Sequence, residues 1–326
     1  MRTVSITAPA RLHLGFLDMN GSRGRRFGSV GLTLDEPCVE LSVRRASAFA
    51  VTGPHSERAA QFANALCNRY NFPDDFHLTV SSTIPEHVGL GSGTQLGIAV
   101  GVALSRLYRL DLSVREIAVV VQRGQRSGIG AGAFEFGGFL VDGGKGAGDD
   151  PPPIVSRVEF PADWRVLLVL ERAIQGLHGE LEKNAFQALP AFPETLASQL
   201  CRLMLMQALP ALAERDIESF GNAIGELQRI TGDYFSPAQG GRFSSPAVAE
   251  ALAWIEAQGI AGVGQSSWGP TGFAVMASEE HATALARAAQ ARWGEAGPLQ
   301  FVVCGGRNRG GEVEVVSLAR ASADRQ

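Results

Sequence analysis

Residues 84–95, with the sequence IPEHVGLGSGTQ, end an apolar strand at a proline and then place three alternating glycines before a helix. Glycine lets a turn expose its backbone N–H groups, because it has no side chain to block a ligand. The positive end of the following helix dipole lies behind the same turn. We therefore predict a phosphate site formed by seven consecutive residues: Gly89, Leu90, Gly91, Ser92, Gly93, Thr94 and Gln95.

An ordinary tight turn is the alternative for this stretch, since glycine turns before helices are common. The stretch is not a Walker A loop, because the lysine of that motif is missing. The GxGxxG pattern of dinucleotide-binding proteins does not fit it either. The hydroxyls of Ser92 and Thr94 are available to a phosphate or to Mg²⁺.

Strand and helix patterns alternate on both sides of this turn. Apolar and β-branched residues predict strands at residues 3–7, 38–44, 76–81 and 134–141. Helical spacing predicts a helix over residues 57–70 and another that starts at the glycine turn. Ser113 and Glu116 have the spacing of a capping box, which predicts the start of a further helix.

The second half of the chain predicts an antiparallel sheet backed by helices. Strands are predicted at residues 166–170, 272–277, 299–304 and 313–317. Helices are predicted at residues 194–212, 214–230, 246–257 and 282–291, and polar residues 178–183 predict one more solvated helix face. Residues 143–153 are rich in glycine and proline and continue no element, so we predict two domains, 1–153 and 154–326.

Composition narrows the class of protein. The 326 residues are 45% hydrophobic and 19% charged, which is enough apolar material for a substantial core. A net charge of −4 disfavours nucleic acid as a partner and favours a small molecule. We find no signal peptide and no membrane-spanning run, so we expect a cytoplasmic protein. The spacing of the four cysteines and six histidines predicts no zinc site, and the cysteines are expected to be buried free thiols.

Two further segments resemble parts of a known cleft. Residues 262–275, GVGQSSWGPTGFAV, again place glycines and hydroxyl residues beside an apolar strand, and residues 8–21, APARLHLGFLDMNG, place Arg11 and His13 just after the first strand. PxxxGLGSG in the first half with GxGxSxxGP in the second resembles the GHMP superfamily. That resemblance implies an α/β fold of α+β type with two lobes, a ribosomal-S5-like N-terminal lobe and a ferredoxin-like C-terminal lobe.

Longer motifs resemble one family within that superfamily, the β-ribofuranosylaminobenzene 5'-phosphate synthases. These motifs are RxHxGxxDxNG at Arg11–Gly21, GLGSGTQ at Gly89–Gln95, RxxxSGIGxGAFExGGFLxDGG at Arg123–Gly144 and QSSxGPT at Gln265–Thr271. The resemblance implies a reaction of phosphoribosyl pyrophosphate with 4-aminobenzoate that releases pyrophosphate and CO₂. It also implies Mg²⁺ with the pyrophosphate donor, no ATP, no NAD and a homodimer.

Candidate site residues follow from those motifs. We predict catalytic roles for Arg11, His13 and Asp18, and anion binding by Arg23 and Arg26 in the arginine-rich loop at residues 22–27. Further substrate contacts are predicted for Gln265, Ser266 and Trp268, with Trp268 able to stack on an aromatic ring. Magnesium ligands are predicted at Asp142 and Glu135. A turn-forming or core role is the alternative for each of these residues.

Two other functions stay open at this point. A small-molecule GHMP kinase would use ATP, and a regulator on the same fold would bind a ligand without turnover. Kinases of the superfamily generally carry SGxxD, whose aspartate helps to deprotonate the acceptor. Here Ser127–Ala133 reads SGIGAGA and has no carboxylate, which weakens the kinase hypothesis.

Overall fold

The computed structural model of the chain describes residues 2–171 and 189–317. Its strands are β1 (Arg2–Asp18), β2 (Phe27–Arg45), β3 (Ala50–Thr52), β4 (Phe76–Ser82), β5 (Phe139–Asp142), β6 (Ile154–Val158), β7 (Arg165–Glu171), β8 (Val263–Gln265), β9 (Gly272–Met276), β10 (Leu299–Gly305) and β11 (Glu312–Ser317). Its helices are α1 (Ser56–Tyr70), α2 (Ser92–Leu107), α3 (Val114–Val120), α4 (Ile129–Glu135), α5 (Glu194–Leu203), α6 (Leu209–Glu214), α7 (Ile217–Gln239), α8 (Pro246–Glu256) and α9 (Glu279–Trp293), with a π-helical turn at Met204–Ala208.

Within these residues, seven strands form the first sheet around the long antiparallel pair β1 and β2. The order is β11-β1-β2-β4-β3, while β5 pairs with β2 and β6 pairs with β5. Val4, Ile6 and Ala8 alternate along β1 and are buried, as one face of a strand packed on a core should be. Helices α2 and α4 pack on β1 and β2, so the glycine turn that opens α2 lies beside β1.

The second sheet has the order β10-β7-β9-β8, and every pair in it is antiparallel. Helices connect β7 to β8 and β9 to β10 along the chain, and this is the ferredoxin-like arrangement. Leu167 and Val169 of β7 pack with Leu252 of α8 in a separate apolar core. The predicted two-lobed α+β fold is therefore confirmed.

A larger apolar core extends from the first sheet into the second lobe. Phe220 of α7 packs against Phe139 of β5 with ring centroids 5.5 Å apart, and both rings are fully buried or nearly so. Strands β6 and β11 follow residue 153 in the chain but pair with β5 and β1 in the first sheet. The predicted boundary at residue 153 therefore does not coincide with the division between the two sheets.

Most predicted elements are found, with local differences. The capping box of Ser113 and Glu116 is formed by reciprocal hydrogen bonds. The strand predicted at 134–141 is wrong at its start, because α4 runs to Glu135 and two glycines with positive φ, Gly137 and Gly138, turn the chain before β5. The cysteines are free as predicted, but of the four only Cys304 is buried. The predicted helix face at 178–183 lies outside the described residues.

The continuous helical segment from Glu194 to Glu214 is long and apolar enough, by length and composition alone, to cross a membrane. These criteria are weak, because core helices of soluble proteins satisfy them as well. Here Leu200, Leu203 and Leu212 belong to the core that the lobes share.

Candidate active site

The buried hydroxyl of Ser266 joins the three sequence motifs. Its Oγ accepts a hydrogen bond from the backbone N–H of His13 at 3.0 Å and donates one to the carbonyl of Gly89 at 2.9 Å. The N–H of Ser267 in turn donates to the carbonyl of His13 at 3.0 Å. Residues that lie far apart in the chain therefore form one site between the lobes.

Glycine is required where the two glycine loops touch. A Cβ at Gly269 would lie 2.3 Å from the carbonyl carbon of Val88, and a Cβ at Gly89 would lie 2.3 Å from the carbonyl oxygen of Ser266. Gly89 also has a φ of +95°, which other residues rarely adopt. Any side chain at these positions would separate the two loops.

The N-terminus of α2 faces a cavity that we call the loop cavity, bounded by residues 89–94 and by arginine side chains. Gly91 has a φ of +87°, and its carbonyl accepts hydrogen bonds from the N–H groups of Thr94 and Gln95 at 3.0 Å each. The first turn of α2 carries no acidic residue. This helix end therefore favours an anion through its dipole and its backbone N–H groups.

Arg11 lies under the glycine turn, inside β1 rather than after it as predicted, because β1 continues to Asp18. One guanidinium nitrogen donates to the carbonyl of Gly89 at 2.6 Å, while Nε has no hydrogen-bond partner among the described residues. Burial lowers the pKa of Arg11 to about 10. The group stays cationic at neutral pH and forms part of the wall of the loop cavity.

Two more arginines complete that wall, Arg58 of α1 and Arg123 after α3. A Cβ on Gly93 would lie 2.2 Å from a terminal nitrogen of Arg58 and 3.4 Å from one of Arg123. Burial, followed by the charge of Arg58, lowers the pKa of Arg123. The described lining of the loop cavity contains these cations and no carboxylate. Glu86 pairs with Arg58 from outside the lining, and the charges of Arg11 and Arg123 still favour an anion.

A second cavity, which we call the aromatic cavity, lies on the other side of Ser267 and Trp268. Phe16, Phe235 and Trp268 contribute rings to its wall, and Phe235 meets Trp268 edge to face at 4.9 Å. Its polar wall residues include His13, Gln228, Thr231, Gln239, Arg242 and Gln265. Ser267 has a φ of +57°, an uncommon conformation for serine, at the place where the two cavities meet.

The ring of His13 is buried in the wall of the aromatic cavity. It is 3% exposed, and neither ring nitrogen has a hydrogen-bond partner among the described residues. Burial and then the charge of Arg11 lower the pKa of His13 to about 3. The imidazole is therefore neutral at physiological pH.

This histidine should make the protein less stable in acid. Between about pH 6.5, the ordinary histidine pKa, and the lowered folded value, the unfolded chain binds a proton that the folded chain does not. The free energy of unfolding should therefore decrease as the pH is lowered through that window, by up to about 1.4 kcal/mol per pH unit from this group. Urea unfolding from neutrality to about pH 5 should show a shallower pH dependence in His13→Asn than in the wild type. His281→Asn changes an exposed histidine as a control, and equal slopes in all three proteins would contradict the prediction.

The arginine-rich loop does not reach either cavity. Arg23 is exposed and forms an ion pair with Glu194 at 3.7 Å, whereas Arg26 donates from Nε to the carbonyl of Met19 at 2.9 Å. Arg25 donates to the carbonyls of residues 143 and 144. The structure therefore assigns the loop-cavity cations to Arg58 and Arg123, which the sequence analysis missed, in place of Arg23 and Arg26.

Asp18 also lies apart from the two cavities. Its Oδ1 accepts hydrogen bonds from the backbone N–H groups of Asn20 and Gly21 at 2.8 and 3.0 Å. This is an Asx turn that ends β1, which is the alternative role that aspartate has at such positions. A direct catalytic role for Asp18 has no support in this geometry.

The two residues predicted as magnesium ligands lie in different surroundings. Asp142 is buried, and its carboxylate accepts hydrogen bonds from the N–H groups of Ser29, Gly128 and Gly144 at 2.8 to 3.0 Å. Glu135 lies at the exposed end of α4. Within the described ranges, no three Asp, Glu, His or Cys side chains cluster as a metal site. Asp142 serves as an acceptor that holds three chain segments together, which argues against its predicted role.

The two glutamines also have local partners. Gln95 is fully buried and donates to the carbonyl of Gly130 at 2.8 Å, so it ties α2 to α4 instead of facing the loop cavity. Gln265 lines the aromatic cavity, but its Oε1 accepts hydrogen bonds from the N–H and the hydroxyl of Ser244 at 2.7 and 3.0 Å. Leu90 is buried, and its carbonyl accepts from the N–H of Arg11 at 3.2 Å.

The chain is similar to known proteins over nearly its whole length. Residues 57–138 match the GHMP kinases N terminal domain, and residues 208–295 match the GHMP kinases C terminal family. A β-ribofuranosylphenol 5'-phosphate synthase of Methanothermobacter thermautotrophicus is 32% identical over 94% of this chain and 97% of its own length. One from Archaeoglobus fulgidus is 34% identical over 95% of this chain and 99% of its own length.

Solved structures are similar in fold. A homoserine kinase from Cytophaga hutchinsonii superposes with a TM-score of 0.67, covering 96% of this chain and 97% of that one. The two sequences are 16% identical, so this likeness concerns the fold alone.

Proposed function

Because the chain belongs to the β-ribofuranosylphenol 5'-phosphate synthase family of the GHMP superfamily, we propose that it joins 5-phosphoribosyl 1-pyrophosphate to a para-substituted benzoate. Pyrophosphate and CO₂ are released, and the product is a β-ribofuranosyl-substituted ring that carries a 5'-phosphate. The predicted family is confirmed, although the name of the relatives specifies a phenol where the prediction has an aminobenzene. We take 4-aminobenzoate as the acceptor and its hydroxyl counterpart as the alternative, in an early step of tetrahydromethanopterin biosynthesis.

The observation that carries this proposal is the cation cluster of the loop cavity. Arg11, Arg58 and Arg123 surround the glycine turn, and the N-terminus of α2 adds its dipole. A donor with a pyrophosphate and a separate phosphate needs several cations at once. Guanidinium groups bind such oxygens through paired hydrogen bonds, which a single ammonium cannot do.

The chemistry needs positioning more than proton transfer. The ring carbon that bears the carboxylate attacks C1 of the ribose while the bond from C1 to pyrophosphate breaks. The bond to CO₂ then breaks and returns its electron pair to the ring. No proton has to be removed from the ring carbon, so the absence of a carboxylate from Gly130–Ala133 is compatible with this reaction. Cations at the leaving pyrophosphate stabilise the charge that develops there.

Magnesium has no protein site that fits it in the described cleft. The wall of the loop cavity offers the hydroxyls of Ser92 and Thr94 but no carboxylate, and hard cations in proteins are usually held by one or two carboxylates. Magnesium bound to the donor therefore stays a proposal from the resemblance, and no step above depends on it. A cytoplasmic homodimer is proposed on the same basis.

Arginine substitutions test the assignment of the donor site. Arg58→Gln should raise the KM for the donor about ten- to a hundredfold, because charge-assisted hydrogen bonds contribute about 1.5–3 kcal/mol each. The KM for the acceptor should change little. Arg106→Gln is a matched control. Arg58 forms an ion pair with Glu86 at 2.5 Å, and Arg106 forms one with Asp111 at the same distance but lies outside the cavity. A donor KM that Arg58→Gln leaves unchanged would contradict this assignment.

A further inference from the structure

The wall of the aromatic cavity suits one flat aromatic ring. Phe16, Phe235 and Trp268 supply apolar faces and edges around a space that is partly open to solvent. It adjoins the loop cavity through Ser267 and Trp268, which belong to both linings. A ring held here therefore lies next to the place where the proposed function puts the donor.

Most of the polar wall of this cavity is already satisfied from within the protein. Gln228 donates to the carbonyl of Leu14 and accepts from the N–H of Gln265 at 2.8 Å, while the hydroxyl of Thr231 donates to the carbonyl of Leu227 at 2.8 Å. His13 differs from these residues. Both of its ring nitrogens are buried and without a partner in the described part of the chain.

An unsatisfied buried imidazole is costly, because its donor and its acceptor have both lost their hydrogen bonds to water. Such a group in the wall of a cavity is expected to pair with whatever binds there. Neutral imidazole offers one N–H donor and one lone pair. It suits a neutral polar substituent better than a carboxylate, which would need a cation or solvent at the same depth.

We propose that the aromatic cavity binds the ring of the acceptor and that His13 accepts a hydrogen bond from the amino or hydroxyl group at its para position. This inference rests on the proposed function and names a specificity-determining contact within it. The carboxylate of the acceptor lies on the opposite ring carbon and points away from His13.

The contact strengthens as the reaction proceeds. When the ring carbon forms its bond to C1 and pyrophosphate leaves with the electron pair of the broken bond, positive charge spreads to the para nitrogen. Its N–H then becomes a stronger donor to His13, so the hydrogen bond stabilises the transition state more than the ground state. Loss of CO₂ returns an electron pair to the ring, and the N–H proton stays on nitrogen throughout.

Two acceptors separate a hydrogen bond from simple ring binding. The probes are 4-aminobenzoate and 4-(dimethylamino)benzoate, which keeps the electron-donating nitrogen but has no N–H. Wild-type enzyme should favour 4-aminobenzoate by about ten- to a hundredfold in kcat/KM, the range for one buried hydrogen bond at about 1.4 kcal/mol per factor of ten. His13→Leu should reduce that preference to within about threefold, and His13→Asn, which keeps a hydrogen-bond acceptor, should retain most of it.

A matched variant shows whether the effect is specific to His13. Thr231→Val changes a wall residue whose hydroxyl is already bonded, so it should leave the ratio of the two acceptors unchanged. A preference for 4-aminobenzoate that His13→Leu leaves intact overturns the inference. Equal use of both acceptors by the wild-type enzyme also overturns it, and that measurement does not require the variant to fold. Absence of product from every benzoate would instead overturn the proposed function.

Discussion

Replacing Gly91 with valine is expected to abolish measurable binding of the phosphoribosyl donor in a protein that still folds. A Cβ at this position would lie 3.2 Å from Cζ of Arg11, and the branched side chain would extend into the loop cavity where the phosphate must lie. Two or more charge-assisted hydrogen bonds would be lost, each contributing about 1.5–3 kcal/mol. Donor affinity should therefore fall by more than about a hundredfold in calorimetry.

Backbone strain has to be separated from this effect, because Gly91 has a φ of +87° and valine there is strained in any environment. Gly240 is the matched control, since it has a φ of +82° and a Cβ on its backbone would have no neighbouring atom within 4 Å. Gly240→Val should show similar destabilisation in urea and unchanged donor affinity. Donor affinity that is unchanged in a folded Gly91→Val protein would remove the phosphate assignment.

The second large effect expected is the near absence of phosphate transfer from ATP. The aspartate of the kinase motif SGxxD corresponds to Ala131, which is buried in α4. The preceding residue, Gly130, leaves no space for a carboxylate side chain either, because a Cβ there would lie 2.7 Å from Cγ2 of Thr94. A positioned base contributes typically 10²–10⁴-fold to catalysis.

ADP formation with sugar, homoserine and isoprenoid alcohols should therefore stay at about the rate measured without an alcohol. The same preparation should turn over phosphoribosyl pyrophosphate, which shows that the protein is active. Robust ADP formation that depends on an alcohol would establish the kinase alternative. Tight donor binding with no turnover of any substrate would establish the non-catalytic regulator.

The fold was predictable from local patterns. The capping box of Ser113, the strand periodicity of β1 and the glycine turn at residues 84–95 each act over a few residues, so they can be read from the chain directly. The extent of β1 and β2 was underestimated, since hydrogen bonds between two long neighbours sustain strand geometry through glycine and proline.

Only those site residues that belong to a family-like motif could be predicted from the sequence. Arg11, His13 and Ser266 were found in this way, and the structure brings them together. Arg58 gave no signal, because an arginine on an amphipathic helix resembles any solvated residue until the helix is placed beside the glycine turn. Arg123 is the first residue of the motif at Arg123–Gly144, and that position is a sequence signal for a role in the site.

The predicted site residues that lie apart from the cavities have local partners for a common physical reason. Arg23 and Arg26 cluster in sequence, but their loop turns away and they find a carboxylate and a carbonyl instead of the cleft. Asp142 lies within a specific motif because three backbone N–H groups need its carboxylate. A polar residue in a motif can thus serve the fold alone.

Carboxylate-labelled 4-aminobenzoate shows whether the proposed reaction forms a carbon–carbon bond with loss of CO₂. Neither described cavity lining contains a cysteine or lysine, and Ser266 bonds the backbone of His13 and not its ring, so a single displacement is expected. With phosphoribosyl pyrophosphate, one labelled CO₂ should appear per pyrophosphate, together with an unlabelled β-linked C-riboside 5'-phosphate. Label retained in the product, an α linkage, or ribose attached to the amine would contradict the account.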